Sequence, residues 1–553
     1  MASTAATATD PQTPSSSDTT PAAESPDTTA DETTATDSTV GSAPVCVAPT
    51  TTTPVDATAA DDTGQEWDVT SFDGTVIRAH WFPLAGLDDA DTAPTVLMGP
   101  GWGSAGDTNV NSVGTGDVVT ISSLRQAGFN VLTWDPRGFG RSTGTVEVDS
   151  PEYEGRDVQQ LLDWVSARPE AALDSERDPR VGMFGASYGG GIQFVTAAID
   201  CRVDAIVPVI AWHSLRTSLF KADTAKTGWA NFLSAAASGR SLDPTIARTD
   251  AAGNSTGLID PADVQWFADR GPGDSVADIT VPTLIIQGTV DTLFTLDESA
   301  SNYAALASNG IPVSLLWFCG GHGACLTDPG DSANTSEAAL GWLRHYVMKD
   351  TTVDLGPAFE FVDQDGVSYT ADQFPPSPSS AAPLTGSGAG TLALVAAGGA
   401  GPLTANGAGG ALAGAISPIT PGPATNSVDV TVPAPAADIV LVGAPQLTMT
   451  YSGTTPDGPQ PTRVFAQLVD DASGLVLGNQ ITPVAVTLDG ASHTITVPLE
   501  MIAFTAHPTA TVTLQIVATT VAYAVPRLGG TIDFSAITID LPAVGGVTAA
   551  PAA

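Results

Sequence analysis

Between about Gln65 and Lys349 the chain alternates two kinds of pattern. Short apolar runs such as Thr95–Met98, Asn130–Trp134, Ala205–Ile210, Thr283–Ile286 and Val313–Phe318 show no polar alternation. That predicts strands buried on both faces. Between them, apolar residues recur at helical spacing, as at Val158, Leu161, Leu162 and Val165 in Asp157–Val165. A further helix is predicted from Ser336 to Met348. Strand and helix in turn predict an α/β domain with a mostly parallel sheet covered on both faces, over residues 65–350. The stretch 212–277 interrupts the alternation and carries Leu215, Leu219, Phe220, Trp229, Phe232 and Leu233 on predicted helices.

After Lys349 the texture changes. Only Arg463 and Arg527 remain of the basic residues. Short β-rich runs recur at Leu392–Val395, Val428–Val432, Leu447–Tyr451, Val464–Val469, Thr494–Leu499, Val512–Val517 and Ile532–Ile539, separated by Gly, Pro, Asp and Asn. Over residues 351–542 this predicts an all-β, jelly-roll-like sandwich. The Gly/Ala-rich stretch Gly388–Gly414 reads as flexible or loosely packed. Residues 1–64, built of Thr, Ser, Ala, Pro and Asp without Lys or Arg, and residues 543–553 read as disordered, because they hold too few large apolar groups to offset the entropy of ordering.

Charge narrows the function. The chain of 553 residues has 60 acidic and 19 basic residues, a formal net charge of −41. Nucleic acid and anionic membrane surfaces would repel it, so neither is an expected partner. No apolar run is convincing as a membrane span.

The stretch Val181–Gly191 reads VGMFGASYGGG and holds Gly185-Ala186-Ser187-Tyr188-Gly189, a G-x-S-x-G pentapeptide between an apolar run and a predicted helix. Asp291 follows the strand and turn 281–290. His322 lies in the glycine loop Gly320–Gly323 that follows the strand Val313–Phe318. A serine hydroxyl needs a base to take its proton, and the base needs an acid to fix its tautomer. The three predicted catalytic residues are therefore Ser187, Asp291 and His322. Asp297 competes with Asp291, which is preferred for its place at the strand exit. Among the other histidines, His80, His345, His493 and His507 read as structural. His213 and Trp212 are expected to face a pocket. A glycine loop, Gly99–Ser104, follows the strand Thr95–Met98. It offers the Trp102 N–H as one oxyanion donor, with the Tyr188 N–H as the second. No metal or organic cofactor is required by this chemistry.

The run Asp135-Pro136-Arg137-Gly138-Phe139-Gly140-Arg141-Ser142, with the glycine loop before it and the Ser187 elbow after it, resembles the α/β-hydrolase superfamily. The β-rich stretch Ala444–Asp470 narrows the resemblance, over about Gln65 to Leu541, to the Xaa-Pro dipeptidyl-peptidase/cocaine esterase family of serine hydrolases. That resemblance implies several things. Residues 212–277 would cap the active site, and Asp135 and Arg137 would brace loops without taking part in chemistry. The substrate would be a small-molecule ester or a peptide, cleaved through an acyl-enzyme. Members of the family commonly use a tyrosine side chain as an oxyanion donor, where this chain has Gly101-Trp102-Gly103, so backbone donation is expected here. The alternatives are an acyltransferase using the same three residues and an inactive cell-surface binding protein.

Four cysteines, Cys46, Cys201, Cys319 and Cys325, allow three disulfide connectivities or four reduced thiols. Cys319 and Cys325 bracket His322, and a bond between them would restrict it. The N-terminus shows no basic or strongly apolar leader. Residues 1–64 nonetheless resemble the stalks of exported bacterial proteins. The expectation is a secreted or cell-surface protein, with a cytoplasmic enzyme as the alternative.

Overall fold

The computed structural model describes residues 55–550 apart from 88–90, 113–118, 332, 381–382, 405–409, 457 and 459. The expected disorder of residues 1–54 and 551–553 lies outside the described residues.

The apolar runs form the central sheet. Its strands are β1 (Ala57–Ala59), β2 (Glu66–Thr70), β3 (Val76–Phe82), β4 (Thr95–Gly99), β5 (Asn130–Trp134), β6 (Val181–Ala186), β7 (Val203–Val209), β8 (Thr283–Gly288), β9 (Val313–Phe318), β10 (Phe359–Val362) and β11 (Ser368–Ala371). They lie in the order β1-β2-β3-β5-β4-β6-β7-β8-β9-β10-β11, and Thr548–Ala549 closes the far edge. Neighbours from β5 to β10 run parallel. The three pairs from β1 through β3 to β5 are antiparallel.

Alternate side chains explain why these strands read as unbroken apolar runs. Leu97, Leu132, Met183, Ile206, Ile285 and Leu315 enter the core under helices Glu154–Ser166, Tyr188–Ile199 and Leu296–Ser308. Their neighbours Val96, Val131, Phe184, Val207, Ile286 and Leu316 enter a second core under Ile121–Ala127 and Asn334–Tyr346. Both faces are covered, so both sets must be apolar.

Three expected boundaries move. The sheet does not end near residue 350, because β10 and β11 extend it. Phe359 and Phe361 are fully buried in it. The loss of Lys and Arg after Lys349 tracked surface composition and not topology. The sheet also starts earlier than residue 65, since β1 pairs with β2. At the other end Thr548–Ala549 pairs with β11 inside the stretch expected to be disordered. Small residues suffice at a sheet edge, where backbone hydrogen bonds do most of the joining.

The insertion after β7 is helical, with Leu215–Leu219, Thr227–Ala236, Pro244–Thr256 and Pro261–Ala268. Asp243 and Asp260 each cap the helix that follows, accepting from Thr245 and Ala262 N–H, with a proline at the first position.

The C-terminal β region forms two larger antiparallel sheets over one core, to which a two-stranded ribbon, Ile439–Gly443 with Ile502–Ala506, adds Leu441 and Phe504. One holds Leu384–Ala393, Thr531–Leu541, Gln446–Thr454 and His493–Pro498. The other holds Ser427–Val432, Val512–Val517, Gln460–Asp470, Leu475–Val476 and Thr482–Leu488. Leu447, Met449 and Ile539 of the first meet Val464, Ala466 and Leu514 of the second in that core. Part of the Gly/Ala-rich stretch is ordered strand, against expectation. A Cβ on Gly386, Gly388 or Gly390 would stand within 3.0 Å of Val432, Val430 or Val428, so here glycine permits close packing of strand on strand. Among the described residues, no helix is long and apolar enough to cross a membrane.

Candidate active site

The elbow follows directly from its glycines. Strand β6 is wholly buried and ends at Ala186. Ser187 takes φ 58° and ψ −117°, and helix Tyr188–Ile199 begins at the next residue. A Cβ on Gly185 would stand 2.7 Å from the Gly99 carbonyl oxygen, and one on Gly189 would overlap that same atom. Only glycine lets β4, β6 and the helix approach so closely. The Ser187 N–H donates to the Val209 carbonyl at 2.9 Å, which fixes the strained residue from behind.

Asp291 and His322 arrive on neighbouring loops, after β8 and β9. Their contact also depends on glycine. Gly321 has φ +102°, and a Cβ there would lie 2.7 Å from Asp291 Cβ. Asp291 is fully buried. Its Oδ1 accepts from Leu293 N–H (2.9 Å) and Phe294 N–H (2.8 Å). Its Oδ2 accepts from the His322 backbone N–H (3.0 Å) and faces His322 Nδ1 at 2.7 Å. With Nδ1–H given to the carboxylate, Nε2 is the acceptor, and it lies 2.8 Å from Ser187 Oγ. The structure thus brings the three predicted residues into one hydrogen-bonded chain. Cys319 and Cys325 are bonded across the loop that carries His322. Cys201 is disulfide-bonded as well, and Cys46 lies outside the described residues.

The two residues predicted to supply oxyanion donors, Trp102 and Tyr188, border the same cavity as the serine. Tyr188 is the first residue of its helix, so its N–H is one of the amides without an intrahelical acceptor. Trp102 sits in the turn after β4. Its indole N–H donates to the Leu233 carbonyl at 3.0 Å, and its ring meets Tyr188 and Phe139 edge-on. The Tyr188 hydroxyl points elsewhere, donating to Glu154 Oε1 at 3.3 Å. Burial raises its pKa well above the ordinary value, and burial also pushes the Glu154 carboxyl up to about 7.

The other residues separate cleanly. Asp297 lies by Lys221 (3.8 Å) and accepts from Met501 N–H, away from the imidazole. His80 faces Asp135 at 3.1 Å, and Asp135 also accepts from Gly106 and Arg141 N–H. Arg137 grips Asp157 with two 2.7 Å bonds. Both therefore brace loops around the elbow. Trp212 lines the cavity, but His213 does not. Its Nδ1 faces Asn302 Oδ1 at 2.8 Å.

The cavity has a volume of about 100 Å³. More of the insertion reaches it than the sequence suggested: Leu215, Leu219, Phe220 and Leu233 join Phe267 and Phe294 on its wall. Sequence reasoning also missed Lys226. Its Nζ is fully buried and donates to the Thr292 and Leu293 carbonyls at 3.1 and 2.9 Å. Burial lowers its pKa to about 8. An isolated lysine before a helix gives no local sign of this role.

Comparison with known proteins is consistent with this geometry. Residues 73–324 match the family described as X-Pro dipeptidyl-peptidase (S15 family). A CocE/NonD family hydrolase from Staphylococcus aureus superposes with a TM-score of 0.61 at 13% identity, covering 87% of this chain and 94% of that one. An α-amino acid ester hydrolase superposes at 0.65 and 14% identity, covering 91% and 99%. The fold is therefore that of the α/β-hydrolases, with a helical insertion and a C-terminal β-sandwich. An uncharacterized 31.7 kDa protein of Escherichia coli is 35% identical over 91 residues, which is 16% of this chain and 30% of that protein.

Proposed function

We propose that this chain, whose residues 73–324 belong to the X-Pro dipeptidyl-peptidase (S15) family of α/β-hydrolases, is a serine hydrolase that cleaves small esters or amides with apolar acyl groups. The observation that carries this reading is the unbroken chain from Ser187 Oγ to His322 Nε2 (2.8 Å) and from His322 Nδ1 to Asp291 Oδ2 (2.7 Å). Ser187 Oγ attacks the acyl carbonyl while His322 Nε2 takes its proton. The Trp102 and Tyr188 N–H groups hold the oxyanion. Collapse breaks the bond to the leaving group, which receives the proton from His322. Water then attacks the acyl-enzyme, losing its proton to His322, and Ser187 is restored when that proton returns to Oγ.

The cavity wall supports an apolar acyl group. It also favours esters over Xaa-Pro peptides. Among the described residues, Asp250 is the one carboxylate on that wall, and it already accepts from Asn254. A single engaged acid is a poor grip for a free α-amine. Export from the cytoplasm completes the reading, supported by the Cys319–Cys325 bond.

A fluorophosphonate probe tests the proposal. The wild type should label and Ser187→Ala should not. A panel of p-nitrophenyl esters and Xaa-Pro anilides then reports the preference, and acceptor alcohols added to the assay report transfer. Persistent labelling and turnover in Ser187→Ala would overturn the mechanism.

A further inference from the structure

We infer that the β-sandwich positions the catalytic acid, and that Gln480 is the residue through which it does so. This rests on the role proposed above for Asp291. Both carboxylate oxygens of Asp291 are committed inside its own domain, to His322, Leu293 and Phe294. Its backbone carbonyl faces the other way. Gln480 Nε2 donates to that carbonyl at 2.6 Å, in a buried contact between residues 189 positions apart.

The neighbouring residue reaches the other loop. Asn479 Nδ2 donates at 3.1 Å to the carbonyl of Ala324, two residues beyond His322. One turn of the sandwich therefore holds the loop of the acid and the loop of the base together. Its backbone is shaped for close approach: Gly478 and Asn479 have φ +60° and +58°, and a Cβ on Gly478 would stand 3.1 Å from the Thr289 carbonyl oxygen. Asparagine tolerates that conformation better than most side chains. The turn is also stiffly mounted. It lies between Leu475–Val476 and Thr482–Leu488, which both pair with Gln460–Asp470.

A second anchor lies a few residues along the acid loop. Glu500 of the sandwich accepts from Thr295 Oγ1 at 2.8 Å and pairs with Lys221 at 2.6 Å. With the carbonyl of Asp291 tied at one point and Thr295 at another, the 2.7 Å contact from carboxylate to imidazole is fixed from outside the domain that contains it. Displacements of about 1 Å near reacting groups cost as much as 10²-fold in rate.

Gln480→Met keeps the shape and removes the donor. It should lower kcat by roughly 10- to 100-fold with little change in KM. It should also move the acid limb of kcat/KM to lower pH, because a misplaced Asp291 stabilises the imidazolium less. Asn479→Gly, which suits the left-handed backbone, should act in the same direction and serves if Gln480→Met does not fold. Gln364→Met is the matched control. Gln364 exchanges two 2.8 Å bonds with Thr505 of the sandwich, away from Asp291. Its variant should melt earlier with kcat and the acid limb unchanged. In a His322→Ala background, Gln480→Met should cost no further activity. If folded Gln480→Met and Asn479→Gly keep wild-type kcat and acid limb, the inference is overturned. Loss of Ser187-dependent labelling in the wild type would instead overturn the mechanism beneath it.

Discussion

Phe294 stands edge-on to the imidazole of His322, with ring centres 5.1 Å apart and planes at 88°. Trp229, from the helical insertion, meets the same imidazole at 5.8 Å and 85°. Two aromatic rings thus hold a base that must keep both ring nitrogens aligned. Trp229 is itself fixed by its indole N–H, which donates to Thr292 Oγ1 at 3.0 Å. Trp229→Leu should free the imidazole, and kcat should fall by about tenfold, within the range seen when a group that orients a catalytic side chain is lost. Steady-state kinetics on a short ester checks this. An unchanged kcat would mean that Asp291 and Phe294 fix the ring without Trp229.

Ser187 carries backbone strain that its function requires. At φ 58° and ψ −117°, a side chain costs on the order of 1–3 kcal/mol. Ser187→Gly relieves this and loses about 0.5–1 kcal/mol to the greater freedom of the unfolded chain. The strain is the larger effect, so Ser187→Gly should be inactive yet melt above Ser187→Ala. Paired thermal melts decide it. Equal melting temperatures would show that the elbow is relaxed.

Lys226 gives a pH dependence with a definite sign. Its ordinary pKa is 10.5 and burial lowers it to about 8. Between those values the unfolded chain holds a proton that the folded chain does not. Stability should therefore rise with pH across that window, by roughly 3 kcal/mol in full. Lys221 opposes this only at higher pH. Glu500 and Asp297 raise its pKa, so its contribution is lost above the window. Urea midpoints from pH 7.5 to 10.5 should climb in the wild type relative to Lys226→Met. Parallel curves would contradict the burial argument.

Much of this was legible in the sequence, because the relevant signals were local. The elbow could be read from Gly185 and Gly189, since each must sit against the Gly99 carbonyl. The strands of the sheet could be read because burial on both faces removes polar alternation. Asp291 and Asp297 were separated only by argument from the strand exit, and what distinguishes them is where His322 lands. Gln480 was not legible at all. A glutamine in a β-rich loop carries no mark of a hydrogen bond to a residue 189 positions away. β10 was missed for a different reason: its FEFV pattern is short, and the fall in Lys and Arg drew the boundary too early.

The size of the cavity predicts a limit on substrates. At about 100 Å³ it is smaller than a 150 Å³ apolar cavity that accepts benzene. Each added CH₂ in the acyl chain should gain about 0.8 kcal/mol, or roughly fourfold in kcat/KM, until the space is filled. Longer chains should then lose the gain, because overfilling costs about 1–3 kcal/mol. Ala230 lies on the wall, so Ala230→Phe should fill the cavity in advance. The variant should keep acetyl ester hydrolysis and lose the preference for longer chains. A p-nitrophenyl ester series on both proteins measures it. If the wild type shows no dependence on chain length, or if Ala230→Phe leaves that dependence intact, the acyl group does not bind in this cavity.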